Sequence, residues 1–95
     1  MTRRLTPEEL RELLDQAAIT QSRAAELCHA SLRTMQQWLA PVGNSIPRAS
    51  SELLCMALVA HRYIAPGPWM DEFVRPEFRA VMMAGAVSSF VGPKG

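Results

Sequence analysis

Ser31, Leu32, Arg33, Thr34, Gln36 and Gln37 fall within about two turns of helical spacing. A guanidinium and two carboxamides are planar groups that bond bidentately to flat partners offering adjacent donors or acceptors. Arg33 and Gln37 lie four apart, so they share one helix face. The plain alternative for this run is a solvated polar surface. The remaining groups with reactive chemistry are Cys28, Cys55, His29 and His61. Neither cysteine belongs to a Cys-x-x-Cys or Cys/His pair with metal spacing, and both sit in helix-like apolar patterns, so buried reduced thiols are expected. No serine or carboxylate arrangement accompanies either histidine, which makes both structural on this reading. No catalytic residue, metal site or cofactor is expected. Met56, Met70, Met82 and Met83 read as core filling rather than as an adaptable binding surface.

The elements that position the polar run can be traced from capping signals and apolar spacing. Thr6-Pro7-Glu8-Glu9 is a capping box with proline at the first helical position, and Leu5 stands where a hydrophobic staple meets Leu10. Leu10, Leu13, Leu14, Ala17 and Ala18 follow as one apolar stripe, with Arg11, Glu12, Asp15 and Gln16 toward water. Ile19-Thr20 ends this helix and caps a short second one over about 21–28, which turns Ala24, Ala25 and Cys28 inward. Ser31 caps a third helix through about Ala40, burying Met35, Trp38 and Leu39 before Pro41 stops it. After a loop at Val42, Gly43, Asn44 and Ser45, Ile46-Pro47 opens a fourth helix with Leu53, Leu54, Ala57, Leu58 and His61 along one side. Pro66-Gly67-Pro68 ends it. Trp69, Phe73, Phe78, Val81, Met82 and Val87 then suggest a turn and a fifth helix over about 76–90, with 91–95 a frayed tail. Period-two alternation and hairpin dipeptides are missing, so the expected class is all-α, a compact bundle of about five helices.

Composition bounds what such a bundle can do. Ninety-five residues make one small fold, enough for a modest core and too few for a large catalytic cleft with its own supporting shell. The 48% apolar content suits a folded globular chain, and the charge-free stretch 80–93, as long as any in the chain, is too short to span a bilayer. A soluble protein is expected, without a secretory leader and in the cytoplasm. The net charge is a bare +1, yet its distribution is uneven. Arg23, Glu26, Arg33 and Arg48 leave an excess of positives between residues 19 and 51, while Glu8, Glu9, Glu12 and Asp15 crowd the first helix.

Two helices joined by so short a turn must pack closely, which asks for small and apolar residues at fixed offsets. Ala25 stands four after Gln21 at the close approach, and Ala24, Cys28, Ala30, Met35 and Trp38 supply the shared core. The segment from Gln21 to Trp38 resembles the helix-turn-helix of the lambda-repressor/Cro-like transcriptional regulators, and with its flanking helices the likeness covers about 5–62. The string from Ile19 to Cys28 also looks like the corresponding helix of anti-CRISPR-associated phage regulators. One departure stands out: the turn residue that is usually glycine in this family is His29, whose left-handed backbone costs on the order of 1 kcal/mol.

The resemblance implies that the outward residues of the third helix meet double-stranded DNA. Leu32, Arg33, Thr34, Gln36 and Gln37 are then the base-reading set, with arginine suited to guanine, glutamine to adenine, and Leu32 or the Thr34 methyl to thymine. Gln21, Ser22 and Ser31 at helix starts, and Asn44, Ser45 and Arg48 in the loop before the fourth helix, are the implied phosphate contacts. Residues 5–65 form the helix-turn-helix unit on this reading, and 66–90 a C-terminal extension. Trp69, Phe73, Phe78 and Met82 fall outside the core of the first four helices, so they are expected to make a homodimer that binds an inverted repeat as a repressor. The rival reading is a protein-interaction module or antitoxin on the same scaffold.

Overall fold

The computed structural model describes residues 2–40 and 45–80. Four α-helices occur in it: α1 (Pro7–Ala17), α2 (Gln21–Leu27), α3 (Leu32–Leu39) and α4 (Arg48–Ala60). A 3-10 helix (Pro68–Glu72) follows, and the chain is helical again over 76–80. There is no strand among the described residues, so the fold is all-α.

Each of the first three helices starts on a hydroxyl cap. Thr6 Oγ1 accepts the Glu9 amide at 3.1 Å while Glu9 Oε1 accepts the Thr6 amide at 3.0 Å, the reciprocal box legible in the sequence. Thr20 Oγ1 accepts the Arg23 amide and Ser31 Oγ the Thr34 amide, both at 3.1 Å. Such caps satisfy otherwise orphaned amides and contribute about 1 kcal/mol apiece. Helix α4 starts differently, at Pro47 without a side-chain cap. Here Ser51 Oγ, fully buried, donates to the Pro47 carbonyl at 3.1 Å and accepts the Leu5 amide at 3.0 Å, tying the N-terminal segment to α4.

Three helices end alike. Ala18, His29 and Arg62 have φ of 56°, 56° and 64°, the left-handed region. In each case the following amide reaches back five residues: Ile19 to Leu14, Ala30 to Ala25, Tyr63 to Leu58. This is the Schellman closure, which normally takes glycine at the left-handed position. His29 therefore adopts the backbone expected of it, and its closure leads α2 into the cap of α3. Ala18 was expected on the apolar stripe of α1; instead it is exposed, because it is the residue that turns the chain out of the helix.

One core binds all of this together. Leu5, Leu10, Leu14, Ala24, Ala25, Met35, Leu39, Ile46, Leu54, Cys55 and Leu58 are buried in it. Met70, Phe73 and Val74 belong to the same cluster, so the division expected between 65 and 66 does not separate two cores. Two arginine clamps fasten the later segment. Arg3 bonds both Glu9 and Glu72 and lies 4.7 Å over the Phe73 ring. Glu52, with its side chain 5% exposed, accepts the Arg75 amide at 2.8 Å and its guanidinium at 3.1 Å.

The buried side of α4 also differs from expectation. Leu53 is 38% exposed and His61 is exposed, while Ser51 and Glu52 are buried beside Leu54, Cys55 and Leu58. The helix is rotated toward its two polar residues because both find hydrogen-bond partners, Ser51 in the N-terminal segment and Glu52 in the half-buried Arg75. Residues 81–90 of the expected fifth helix, Met82 included, and the tail 91–95 lie outside the described residues. No helix among the described residues is long and apolar enough to cross a membrane.

Candidate nucleic-acid interface

Helix α3 is held on its inner side at several points and offers its outer side to solvent. Met35, Trp38 and Leu39 are buried, which at roughly 2 kcal/mol per large apolar side chain makes packing the chief force seating the helix. At its N-terminus Ser31 Oγ also donates to Thr34 Oγ1 at 2.9 Å, so both hydroxyls are engaged in the cap. At the other end Arg11 of α1 donates Nη2 to the Leu39 carbonyl at 2.7 Å, satisfying one of the orphan acceptors of the last turn. This fixes α3 against α1 as well as against α2, its most extensive neighbour.

Leu32, Arg33, Gln36 and Gln37 form the outward set. All four are exposed, and Leu32 at 42% is one of two large apolar side chains open to solvent among the described residues. Arg33 has neither an ion pair nor a side-chain hydrogen bond among the described residues. Thr34, expected in the same set, is half-buried, with its hydroxyl committed to Ser31.

The expected phosphate contacts are more scattered. Gln21 and Ser22 are exposed in the first turn of α2, behind the Thr20 cap. Ser45 is exposed, and Asn44 lies outside the described residues. Arg48 begins α4, but Nη1 donates to Thr2 Oγ1 at 2.8 Å and lies 3.8 Å from Glu52 Oε1. Its guanidinium is thus shared with intramolecular partners. Glu52 itself is pulled both ways: burial pushes its carboxyl up, and the Arg75 guanidinium and amide, helped by Arg48, outweigh that and hold it below its ordinary value.

Two positioning residues escaped sequence reading. Arg11 was placed toward water, and nothing in the apolar spacing marks it as a brace for α3. Arg23 donates Nε to the Tyr63 hydroxyl at 3.1 Å and Nη1 to Glu26 at 3.2 Å, joining α2 to the chain beyond α4. Both partners favour its charged form, the Tyr63 hydroxyl most.

The expected dimer residues divide. Phe73 is inside the core of its own chain and unavailable to a partner, because the 3-10 helix folds back onto α1 and the N-terminal segment. Trp69 and Phe78 are half-buried. No family model matches this chain, and comparison with curated proteins and with solved structures finds no match either.

Proposed function

We propose that this protein is a sequence-specific DNA-binding regulator that reads base edges with α3. The observation that carries this is the outward face of that helix. A short element is anchored by three buried side chains, a cap and the Arg11 brace, and it presents an exposed arginine without a partner among the described residues, two glutamines and an exposed leucine. A surface of this kind has the donor, acceptor and apolar groups that major-groove recognition uses, on a backbone rigid enough to hold register. Gln21, Ser22 and Ser45 serve as backbone contacts in this reading, and Arg48 joins them by sharing or leaving Thr2.

Acting as a homodimer, the protein sets two such helices about 34 Å apart and represses transcription by occupying an inverted repeat. Phe78, partly open after the core has taken Phe73, supplies part of the contact. Such a regulator works where the DNA is, in the cytoplasm. The resemblance to lambda-repressor/Cro-like and anti-CRISPR-associated phage regulators, carried by residues 19–38, favours the same reading.

Selection from a random duplex library tests it. Repeated capture is expected to enrich inverted half-sites spaced by about one helical turn, and bound protein in excess over duplex in a ratio of two to one. A pool that stays random after several rounds defeats the proposal.

A further inference from the structure

Away from α3, a cleft of about 200 Å³ opens between α1 and the 3-10 helix, lined by Leu5, Leu13, Phe73 and Trp69 with Glu12 and Glu72 at its edge. Glu9 and Gln16 complete it. The volume falls below the roughly 300 Å³ at which drug-sized ligand pockets begin, and suits a single long side chain. Its floor is apolar while its rim carries three carboxylates. Arg3 bonds both oxygens of Glu9 but reaches just one oxygen of Glu72, and Glu12 has no cationic partner among the described residues. The Trp69 indole is half-buried, and its N–H is already given to the Ala65 carbonyl at 3.0 Å. What the ring still offers is its face, which attracts cations.

We propose that this cleft binds an arginine or lysine side chain carried on an apolar segment of a partner protein. The cation lies over Trp69 and between Glu12 and Glu72, while the stem and its apolar neighbours cover Leu13. An anionic partner is repelled by the rim. A second copy of this chain inserting its own Arg33 would make a heterologous contact, unlike the two-fold contact proposed for the dimer, so the partner is a different protein. On α1, residues 9, 12, 13 and 16 share one face and Arg11 projects from the opposite one. The cleft is therefore on the far side of α1 from the brace on α3, and it can be filled while α3 is engaged elsewhere. The inference stands independently of DNA reading.

The test is an amide-resolved NMR titration of the full chain with an acetylated, amidated Leu-Arg-Leu-Arg-Leu peptide, beside a Leu-Glu-Leu-Glu-Leu control. Saturable shifts at Glu12, Leu13, Gln16, Trp69 and Glu72 with the basic peptide alone are expected. Glu12→Gln, on an exposed side chain, should weaken binding by roughly threefold, as the loss of one partly screened ion pair implies. Trp69→Leu should weaken it further, with the remaining spectrum unchanged. Absence of shifts at millimolar peptide, equal shifts with the acidic control, or insensitivity to Glu12→Gln each overturn the proposal. Shifts at these residues on raising protein concentration without peptide overturn it in favour of a second copy.

Discussion

Cys55 sits in the fully buried part of α4, and burial pushes its thiol up to about 12, with the nearby Glu9 and Glu52 charges adding to the effect. Cys28 is raised by burial too, and its Sγ lies 3.2 Å from the Ala24 carbonyl. Since the thiolate is the nucleophile, neither group is reactive at neutral pH while the fold is closed. A thiol reagent added to native protein should label both slowly and in step with global opening. Stoichiometric labelling within the mixing time would remove both residues from the core. Arg48 shows how a side chain of the right type can be drawn into the fold itself. The sequence placed it in the loop before the fourth helix, whereas it opens α4, and its bond to Thr2 depends on a segment 46 residues earlier in the chain.

At the level of the helices, His29 is a strained residue at the junction of α2 and α3, because its left-handed backbone closes α2 two residues before the cap of α3. Glycine at this position relieves the strain and loses some chain entropy on folding, leaving a net gain of about 0.5 kcal/mol. His29→Gly should raise Tm slightly in thermal unfolding with DNA affinity unchanged; a fall in Tm means that the imidazole makes a contact of its own. Helix starts and this turn were legible because caps and closures are local, set by residues three to five apart. The face of α4 was not. Leu53 and His61 fit the apolar spacing as well as Ser51 and Glu52 do, and the choice is made by Leu5 and Arg75, distant in sequence. Phe73 was misread for the same reason: it follows a proline-rich break, and its burial depends on the fold-back held by Arg3. The outward residues of α3 were readable because Met35, Trp38 and Leu39 fix the helix phase.

The whole molecule is drawn together by carboxylate and arginine clamps, which gives its stability a definite pH dependence. Glu9 is held down to about 2, chiefly by the Arg3 guanidinium against the cost of burial, and Glu52 lies below its ordinary value for the reasons given above. Both are depressed in the folded state. Their contribution is thus complete above the unfolded carboxyl value near 4.5 and is lost as pH falls through the folded values, toward about 2 for Glu9. Urea midpoints should hold steady from pH 7 to 5 and drop below pH 4.5. Glu52→Gln should be less stable at pH 7 by about 1–2 kcal/mol, since Arg75 is partly solvated, and should show a shallower acid loss. An unchanged acid profile would mean that Glu52 is not ionised in the native state.

The acidic side of α1 and the exposed Arg33 on α3 give this near-neutral chain two chemically distinct faces, and the central claim is that the second reads bases. Its most direct measurement is the affinity of Arg33→Ala and of Arg48→Ala for a selected site and for a scrambled duplex, each over a range of salt. Arg33→Ala should lose roughly 1–3 kcal/mol on the selected site and far less on the scrambled one, so that the specificity ratio falls. Arg48→Ala should weaken both duplexes about equally and lower the slope of log affinity against log salt by about one. Equal losses on the two duplexes for Arg33→Ala would contradict the account, because α3 would then be a charged surface and not a reading helix.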